Sequence, residues 1–307
     1  MPQSTSTWDE AQIPPQTGRI AIVTGASGGL GLATARMLAR KGATVILAVR
    51  STDKGTQAKA AILSGHPDAE IHVMPLDLTD LDSVRGFAES FASSYPTLDL
   101  LINNAGVMIP PYSKTKQGFE LQMGTNHFGH YALTARLFPL LARTPGSRIV
   151  SVSSSAHRMG RIDLDDLDWQ KRKYKAWQAY GDSKLANLYF TLELDRRIKA
   201  AGLDILAAAA HPGLARTDLD RTSGPVKLFF RLFGQDAHMG ALPTVRAATD
   251  SQLRGGEYLG PGGAMRMKGY PVLETPTQLA QNAELAARLW QFSEARTGLT
   301  FEFAQLS

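Results

Sequence analysis

The sequence predicts one α/β domain built on a doubly wound parallel sheet with helices on both faces. Short apolar runs, which suit strands buried on both sides, alternate along the chain with segments of helical periodicity. Alternating units of this kind form parallel sheets that helices cover on both sides. The 307 residues show no internal repeat and no linker rich in proline, glycine or serine. We therefore expect a single domain over residues 18–307.

Each element follows from a local pattern. The apolar runs predict strands at 19–24, 44–49, 71–75, 98–102, 148–152 and 203–209. Apolar residues at helical spacing predict helices at 30–38, 80–95, 118–141 and 184–198. A last helix is expected to begin at Thr275-Pro276, because proline fits the first helical position, where a backbone N–H is not needed.

Three segments lack this rhythm. Residues 1–17 show no periodicity and are predicted to be a leader segment. Residues 155–179 and 214–240 interrupt the alternation and are predicted to be substrate loops, since long interruptions in a compact α/β domain often bind ligands. The aromatic side chains of these loops predict a pocket for a bulky apolar or aromatic substrate. In the second loop they are equally compatible with packing or a subunit contact. They are Trp169, Tyr174 and Trp177, and Phe229, Phe230 and Phe233.

The composition excludes several classes of protein. The chain is 43% hydrophobic and 20% charged, and no run approaches the roughly 18 apolar residues of a membrane span. The net charge of +5 is spread out and gives no basis for a nucleic-acid partner. Cysteine is absent, which excludes disulfides, thiol nucleophiles and cysteine zinc sites. We expect a cytoplasmic protein without metal or membrane partners, in which His127 and His130 are packing or surface residues.

A glycine-rich turn joins the first predicted strand to the first predicted helix. Glycines allow the backbone to approach a pyrophosphate closely, and the helix N-terminus offers free N–H groups and a positive dipole end. The turn therefore predicts a dinucleotide site formed by Gly25, Ser27, Gly28, Gly29, Leu30 and Gly31. The same residues match the G-x-S-x-G elbow of α/β-hydrolases, which leaves a serine hydrolase acting through Ser27 as an alternative. That elbow usually follows several strands, whereas this turn follows the first.

The end of the second strand indicates which dinucleotide binds. Folds that prefer NAD usually place an acidic residue there, which accepts a hydrogen bond from the adenine ribose 2′-OH. This sequence has Arg50 at that point. A guanidinium pairs with a 2′-phosphate instead, so NADP(H) is the predicted cofactor.

Tyr180 and Lys184 are four residues apart, which places both side chains on one face of a helix. An ammonium beside a phenol stabilises the phenolate, so the pKa of Tyr180 is expected to fall from about 10 toward the working pH. Such a tyrosine is a general acid for carbonyl reduction or a base for alcohol oxidation. The pair alone is a weak signal, since helices often carry this spacing by chance.

Several motifs taken together are specific, because they occur in a fixed order near strand ends and helix starts. They are Thr24-Gly25-xxx-Gly29-x-Gly31, Asn103-Asn104-Ala105-Gly106, Asn126, Ser153-Ser154, Tyr180-xxx-Lys184 and Pro212-Gly213. This arrangement resembles the short-chain dehydrogenase/reductase family over about residues 18 to 290, and it implies a Rossmann-type fold. The segments 124–129 and 152–157, with the 26-residue step from Ser154 to Tyr180, resemble its retinol-dehydrogenase-like and protochlorophyllide-reductase-like group.

The resemblance implies four catalytic roles. Tyr180 would be the acid/base, and Lys184 would bind the nicotinamide ribose and tune Tyr180. Ser154 would hydrogen-bond the substrate carbonyl, although its neighbours Ser153 and Ser155 leave this assignment open by one residue. Asn126 would hold a water that relays protons to Lys184.

The resemblance also implies a set of cofactor contacts. Asp77 and Leu78 would lie at the adenine, and Asn103, Ala105 and Gly106 would line the floor of the cofactor site. Pro212, Gly213 and Leu214 would run past the nicotinamide, with Thr217 as a carboxamide or pyrophosphate contact. Tyr180 and Lys184 would touch the cofactor as well.

The expected function is that of an NADP(H)-dependent oxidoreductase that interconverts a ketone or aldehyde and an alcohol. Protochlorophyllide reductases are associated with an active-site cysteine, and membrane-bound retinoid enzymes with an N-terminal apolar anchor; neither is expected here. A non-catalytic dinucleotide-binding regulator is a second alternative. Relatives of that kind typically lose the tyrosine or the lysine, and this chain keeps both. A homodimer and a monomer stay open.

Overall fold

A computed structural model describes residues 7–214 and 235–303, and within these ranges eight strands form one sheet. The strands are β1 (Ile20–Thr24), β2 (Thr44–Val49), β3 (Ile71–Pro75), β4 (Leu100–Asn103), β5 (Ser147–Val152), β6 (Ile205–Ala210), β7 (Tyr258–Pro261) and β8 (Pro271–Glu274). The helices are α1 (Gly29–Arg40), α2 (Thr52–Leu63), α3 (Leu81–Ser94), α4 (Gly129–Ala142), α5 (Ala176–Ala200), α6 (Ala237–Thr249) and α7 (Ala283–Thr297).

The strand order is β3-β2-β1-β4-β5-β6-β7-β8, and the seven strands β1 to β7 are mutually parallel. The chain first builds outward from β1 to β3 and then returns to β4 on the other side of β1. The predicted doubly wound sheet is thereby confirmed. One strand departs from the prediction: β8 pairs antiparallel with β7, because the two are joined by a short hairpin, whereas a parallel pair needs a crossover.

Helices cover both faces of the sheet, as β1 illustrates. Ala21 and Val23 belong to a core that includes residues of α1, α2 and α6, such as Leu38. Ile22 faces the opposite core, which includes residues of α3, α4 and α5, such as Phe190. The alternation of side chains along a strand thus divides an entirely apolar run between two helical layers.

The segment before β1 packs onto the sheet. Trp8 and Ile13 are buried in the same core as α1, and Asp9 caps a short 3-10 helix at Glu10–Gln12. These residues fall in the predicted leader segment 1–17. Their apolar side chains lie too far apart to show periodicity, although they are part of the core.

Two predicted helices begin elsewhere in the structure, and one helix of the structure is not predicted. The last helix begins at Ala283 and not at Thr275-Pro276, because Asn282 supplies the cap by accepting a hydrogen bond from the Leu285 N–H at 3.0 Å. Helix α5 begins at Ala176, eight residues before the predicted start and inside the predicted loop 155–179. Helix α2 has a mostly exposed surface and therefore lacks the broad apolar face that would predict it.

Of the predicted loop 214–240, only the two ends are described. The Gln235 N–H donates to the Leu214 carbonyl at 2.7 Å, and α6 begins at Ala237, which corrects the loop's predicted end. The aromatic cluster 229–233 and Thr217 lie outside the described residues. Across the described part of the chain, we find no helix that combines the length and apolarity needed to span a bilayer.

Candidate active site

The candidate site lies at the carboxyl ends of β1 and β4, the neighbouring strands between which the chain changes its direction of winding. Crevices at such switch points are the usual ligand sites of open α/β sheets. The glycine turn follows β1 directly, with Gly25 and Gly29 at φ values of +68° and +52°. These left-handed conformations favour glycine at both positions.

The start of α1 packs closely against the glycine turn and the segment after β4. A Cβ on Gly31 would lie 2.6 Å from the Asn104 Nδ2 and would also press on the Gly25 carbonyl. Gly28 is the N-cap and provides no side-chain hydrogen bond to the first N–H groups of the helix. A phosphate group is the chemistry that such a helix end accepts, so the turn fits a dinucleotide.

Thr24 fastens this turn to the segment after β4. Its Oγ1 accepts hydrogen bonds from the Asn104 and Ala105 N–H groups, both at 2.9 Å. The Asn104 side chain donates back to the Thr24 carbonyl at 2.8 Å. The sequence assigns no role to Asn104, although its place in the Asn-Asn-Ala-Gly motif is a signal for one. The two chain segments that would hold a dinucleotide are therefore one hydrogen-bonded unit.

The side chain of the neighbouring Asn103 is turned away from this edge of the sheet. Its side chain is buried and donates to the Thr134 Oγ1 at 3.0 Å on α4, so the amide points into the protein. Ala105 lies beside Gly25, and a Cβ on that glycine would come within 3.0 Å of it. Ala105 and the following Gly106 are partly exposed at this edge of the sheet.

Two further cofactor predictions fall at strand ends on the far side of β1. Arg50 follows β2 directly and is exposed. Asp77 comes two residues after β3, and its Oδ1 accepts hydrogen bonds from the Thr79 N–H and hydroxyl. Leu78 is buried and packs where Gly129 leaves room at the start of α4.

The structure brings Tyr180 and Ser154 together. Ser154 follows β5 and caps the short 3-10 helix Ser155–Met159, and its hydroxyl lies close enough to that of Tyr180 to lower the pKa of the phenol. Its neighbours are placed differently: the Ser153 hydroxyl donates to the Lys184 carbonyl at 2.8 Å, and Ser155 is exposed. Of the three serines, the geometry therefore favours Ser154 as the partner of Tyr180.

Lys184 lies on the same face of α5 as Tyr180, with its Nζ 5.7 Å from the centre of the phenol ring. The ammonium donates to the Val152 carbonyl at 3.0 Å, and the Asn187 amide donates to the same carbonyl. An ammonium has three hydrogens, and no other described residue accepts from this one. Lys184 can therefore bind further acceptors, such as ribose hydroxyls.

The expected lowering of the Tyr180 pKa is wrong for this structure. Burial raises the pKa of Tyr180 to about 12, and the nearby Ser154 hydroxyl offsets only part of that rise. Burial also lowers the pKa of Lys184 to about 8, because a charged ammonium is poorly solvated there. At neutral pH the site thus holds a protonated phenol beside a protonated amine.

Asn126 lies in a π-helical stretch, Gly124–Phe128, that runs into α4. Its Oδ1 accepts from the Val107 N–H at 2.8 Å, and its Nδ2 donates to the Ser183 hydroxyl at 2.9 Å. The side chain thus joins the segment after β4 to the helix that carries Tyr180. Gly106 lies between them, and a Cβ there would approach the Asn126 Oδ1 at 3.1 Å and the Lys184 Nζ at 3.5 Å.

His130, one turn after Asn126, fixes the base of the site. Its Nδ1 donates to the Asn126 carbonyl at 3.0 Å, which leaves Nε2 to accept from the Thr24 hydroxyl at 2.9 Å. Burial lowers the pKa of His130 to about 4, so the ring is neutral. The predicted packing role of His127 and His130 agrees with their complete burial.

Comparison with known proteins identifies the family. A family model for short chain dehydrogenases matches residues 19–227. The chain belongs to the short-chain dehydrogenase family. Retinol dehydrogenase 12 of Mus musculus is 40% identical over 296 residues, which cover 95% of this chain and 89% of that protein. The predicted retinol-dehydrogenase-like subgroup is thereby confirmed.

Two solved structures resemble this short-chain dehydrogenase. An uncharacterized protein from Mycobacterium paratuberculosis is 43% identical with a TM-score of 0.82. The match covers 97% of this chain and 100% of the other. A short-chain dehydrogenase from Escherichia coli CFT073, crystallised with NADPH, is 27% identical with a TM-score of 0.62. That match covers 79% of this chain and 95% of the other.

The serine-hydrolase alternative does not fit this short-chain dehydrogenase. A nucleophilic serine needs a base within hydrogen-bond reach. Among the described residues, no histidine hydrogen-bonds the Ser27 side chain. Ser27 instead lies in the turn that precedes the uncapped end of α1.

The third strand-end segment is the turn Pro212–Leu214, which follows β6. Gly213 has φ +64°, and a Cβ there would overlap the Met267 carbonyl, so this position also favours glycine. The Leu214 N–H donates to the Met267 carbonyl at 2.8 Å, and the Gln235 amide donates to the Pro212 carbonyl at 2.8 Å. The turn is therefore held by the β7–β8 hairpin, which the sequence did not predict.

The aromatic residues of the first predicted substrate loop divide into two groups. Trp169 is buried under Arg172, whose guanidinium carbon lies 3.8 Å from the ring centre. The Tyr174 hydroxyl donates to Glu120 at 2.9 Å. Both are packing residues. Trp177 is 46% exposed and comes one turn before Tyr180 on α5, so it is the aromatic side chain of this loop with free surface near the site.

Proposed function

We propose that this short-chain dehydrogenase is an NADP(H)-dependent oxidoreductase that interconverts a ketone or aldehyde and an alcohol, with Tyr180 as the acid/base. One observation carries the proposal. Tyr180 lies beside the Ser154 hydroxyl and shares a helix face with the buried Lys184, at the sheet edge where the glycine turn opens. These groups supply what carbonyl reduction requires of a protein: orientation, a proton and an oxyanion donor.

NADP(H) is the proposed cofactor because of the charge at the end of β2. Arg50 is exposed there, and no described carboxylate forms an ion pair with it, so its guanidinium can pair with a 2′-phosphate. The structural relative crystallised with NADPH supports the same choice. The glycine turn and the start of α1 would hold the pyrophosphate, and Lys184 the nicotinamide ribose.

The bound nicotinamide would supply or accept the hydride, and the residues of this chain would handle the proton. A carbonyl oxygen placed between the Tyr180 and Ser154 hydroxyls would accept from both. Ser154 would stabilise the negative charge that develops on that oxygen, while Tyr180 would transfer its proton to it. The Lys184 ammonium would stabilise the phenolate that results.

The free protein holds the protonation state that reduction requires. Because burial raises the pKa of Tyr180 to about 12, the phenol is protonated at neutral pH and ready to donate. A base for alcohol oxidation would have to lose that proton first. A positive charge near the hydroxyl lowers the pKa, so oxidation depends on Lys184 and on the bound oxidised nicotinamide more than reduction does.

The proposed substrate is bulky and apolar or aromatic. Trp177 offers an exposed indole one helical turn from Tyr180, and aromatic side chains usually line sites for such ligands. A relative is named retinol dehydrogenase, and retinol is an apolar alcohol of this kind. Retinaldehyde-like aldehydes and aryl ketones are therefore the first substrates to try.

The test is reduction of such carbonyls, followed as NADPH oxidation at 340 nm. Tyr180→Phe removes one hydroxyl and should lower kcat by about 100-fold or more, the usual contribution of a general acid. Tyr95→Phe, at the end of α3 and far from the site, is the matched control and should leave kcat unchanged. NADPH binding should survive in both variants.

Two results would contradict the proposal. Near wild-type turnover by Tyr180→Phe would remove Tyr180 as the acid. NADPH binding without turnover across the whole panel would favour the non-catalytic regulator, which is the second candidate. The intact Ser154–Tyr180–Lys184 arrangement argues against that candidate, because a sensor needs no proton donor.

A further inference from the structure

A buried carboxylate–histidine pair stands behind the turn Pro212–Leu214. The His211 Nε2 and the Glu274 Oε1 are 2.9 Å apart, and the two side chains are 1% and 4% exposed. Glu274 comes from β8, the antiparallel edge strand, and His211 directly follows β6. Gly260 of β7 lies between them, and a Cβ there would overlap both side chains. The contact thus involves three neighbouring strands: β6 and β8 position the two side chains, and the glycine on β7 leaves the space between them.

The pair determines which nitrogen of His211 carries the proton. An ionised carboxylate only accepts hydrogen bonds, so the Nε2 facing Glu274 must be the donor. The other nitrogen, Nδ1, then has a free lone pair. It accepts the Gly213 N–H at 3.2 Å. In the opposite tautomer the Nδ1–H would face the Gly213 N–H, and two donors would oppose each other.

The ring is also held from its face. Tyr258 stacks on His211 with ring centres 5.2 Å apart and planes at 28°. Tyr258 in turn lies edge-on to His157, whose Nδ1 donates to the Ser154 carbonyl at 2.7 Å. The pair therefore contacts the turn after β6 directly and is connected to the serine after β5 through Tyr258 and His157.

We propose that Glu274 and His211 are positioning residues that set the Gly213 amide, and with it the turn that the nicotinamide would contact. The proposal rests on the proposed function, because that function places a nicotinamide at this turn. Glu274 does not touch the ligand. It acts through the tautomer of His211, as an orienting carboxylate acts on a histidine in other enzymes. The class of ligand so positioned is a planar, carboxamide-bearing ring.

The experiment compares two replacements of Glu274 in the full chain. Glu274→Gln keeps an oxygen that can accept from Nε2 and should preserve NADPH affinity within about threefold. Glu274→Leu is similar in size but accepts nothing, so both tautomers of His211 become available. We expect its NADPH dissociation constant, measured by titration, to rise about tenfold, the factor equivalent to one lost hydrogen bond.

The tautomer is observed directly. Nitrogen-15 NMR of histidine-labelled protein distinguishes a protonated from an unprotonated ring nitrogen, and His211→Asn identifies the His211 signals by their loss. The wild type should show a protonated Nε2 and an unprotonated Nδ1 without any ligand. Glu274→Leu should show a mixture. A role in packing alone would change stability and leave both readings unchanged.

Ser293→Ala is the matched control. It removes the partner of another buried histidine, His127, whose Nε2 lies 2.8 Å from the Ser293 hydroxyl. It should lower stability without changing NADPH affinity or the His211 signals. If Glu274→Leu does not fold, His211→Asn and His211→Gln replace it. Asparagine places its oxygen near the former Nδ1 and should keep NADPH affinity, whereas glutamine should not.

The outcomes separate this proposal from the proposed function. A wild-type protein that binds NADPH, with Glu274→Leu binding equally tightly, would overturn the positioning role. A wild-type His211 that carries its proton on Nδ1 would overturn it as well. If the wild type binds neither NADPH nor NADH, the proposed function fails, and the NMR reading still decides the tautomer.

Discussion

At the scale of single residues, the proposed preference for NADP(H) over NAD(H) rests on one exposed side chain, Arg50. Arg50→Asp would replace the proposed partner of the 2′-phosphate with a residue that repels it and that accepts from a ribose hydroxyl. The KM for NADPH should rise about tenfold or more, since hydrogen bonds to charged groups contribute roughly 1.5–3 kcal/mol. The KM for NADH should change little. Steady-state kinetics with both coenzymes measure this difference.

Arg143→Asp is the control for that experiment. It makes the same change of charge at an exposed position beyond α4, near the amino end of β5 and thus at the opposite edge of the sheet. It should affect neither coenzyme. Equal effects of Arg50→Asp on NADPH and NADH would exclude Arg50 from the 2′-phosphate site.

Asp182, two residues after Tyr180, is a second residue whose chemistry depends on burial. Its Oδ1 accepts from the Arg161 N–H at 2.6 Å and from the Gln178 amide at 2.8 Å. Its Oδ2 has no hydrogen bond among the described residues, and the Arg172 NH2 is 3.9 Å away. Burial therefore raises the pKa of Asp182 to about 6 despite these partners.

The sign of the resulting pH dependence follows from proton uptake. Between pH 4 and pH 6 the folded protein holds a proton on Asp182 that the unfolded chain has lost. The contribution of Asp182 to the free energy of unfolding therefore increases as the pH falls, by about 1 kcal/mol from pH 7 to pH 5. Asp182→Asn removes this contribution, which urea unfolding at the two pH values would show.

Asp68→Asn serves as the comparison, because Asp68 is exposed in the loop between α2 and β3. The free energy of unfolding of the Asp68→Asn variant should change with pH as that of the wild type does. An identical pH dependence in Asp182→Asn and the wild type would mean that Asp182 is ionised throughout this range.

At the scale of elements, the start of α7 shows why a cap needs structural context. The sequence predicts the start at Thr275-Pro276, whereas in the structure Asn282 has its side chain on a backbone N–H of the helix. Asn282→Ala should lower the free energy of unfolding by about 1 kcal/mol, the usual contribution of an N-cap. Thr275→Ala, at the predicted start, should be neutral. Thermal or chemical denaturation would distinguish the two.

The elements that the sequence predicts well are those bounded by turn residues. Strands β2 and β3 have the predicted limits, since Gly42 and the loop before Ile71 delimit apolar runs of strand length. The sequence does not predict β7 and β8, for the opposite reason. β7 ends in proline and is followed by glycines, a composition that predicts a turn, and it becomes a strand through pairing with β6.

Some features of the candidate site can likewise be predicted from the sequence, and others cannot. The resemblance to the short-chain dehydrogenase/reductase family implies that Ser154, Tyr180 and Lys184 share one site, and the structure places Ser154 near Tyr180 and Lys184 on the same helix face as Tyr180. The direction of the Tyr180 pKa shift is not predictable from sequence, since it depends on how deeply the hydroxyl is buried. The approach of Glu274 to His211 depends on an antiparallel hairpin that has no signal in a βα pattern.

At the scale of the whole molecule, the candidate site lies at one edge of the sheet, and the apolar cores that stabilise the fold lie on its two faces. The glycine turn, Asn104, Ser154 and the turn after β6 all follow carboxyl ends of strands. The two apolar layers, which include helices α1 to α7 between them, hold that edge in place. Histidines packed into these layers connect the stability of the fold to pH.

His127 allows this dependence of the free energy of unfolding on pH to be measured. It is buried between α4 and α7, where Ser293 donates to the Leu289 carbonyl at 2.7 Å and so accepts from the His127 Nε2–H. Burial lowers the pKa of His127 to about 3. The folded protein therefore keeps this ring neutral, while the unfolded chain takes up a proton below about pH 6.5. Its contribution to stability is complete above pH 6.5 and is lost as the pH falls toward 3.

From pH 7 to pH 5 this loss amounts to about 2 kcal/mol for one histidine. His127→Gln can keep an N–H donor for Ser293 and has no titrating ring. Its free energy of unfolding should thus fall less than that of the wild type over this range, by the same amount. His130 stays in both proteins and affects them equally. Urea unfolding at pH 5 and pH 7 measures the difference. If the free energy of unfolding fell equally in both proteins between these pH values, His127 would be protonated in the folded protein as readily as in the unfolded chain.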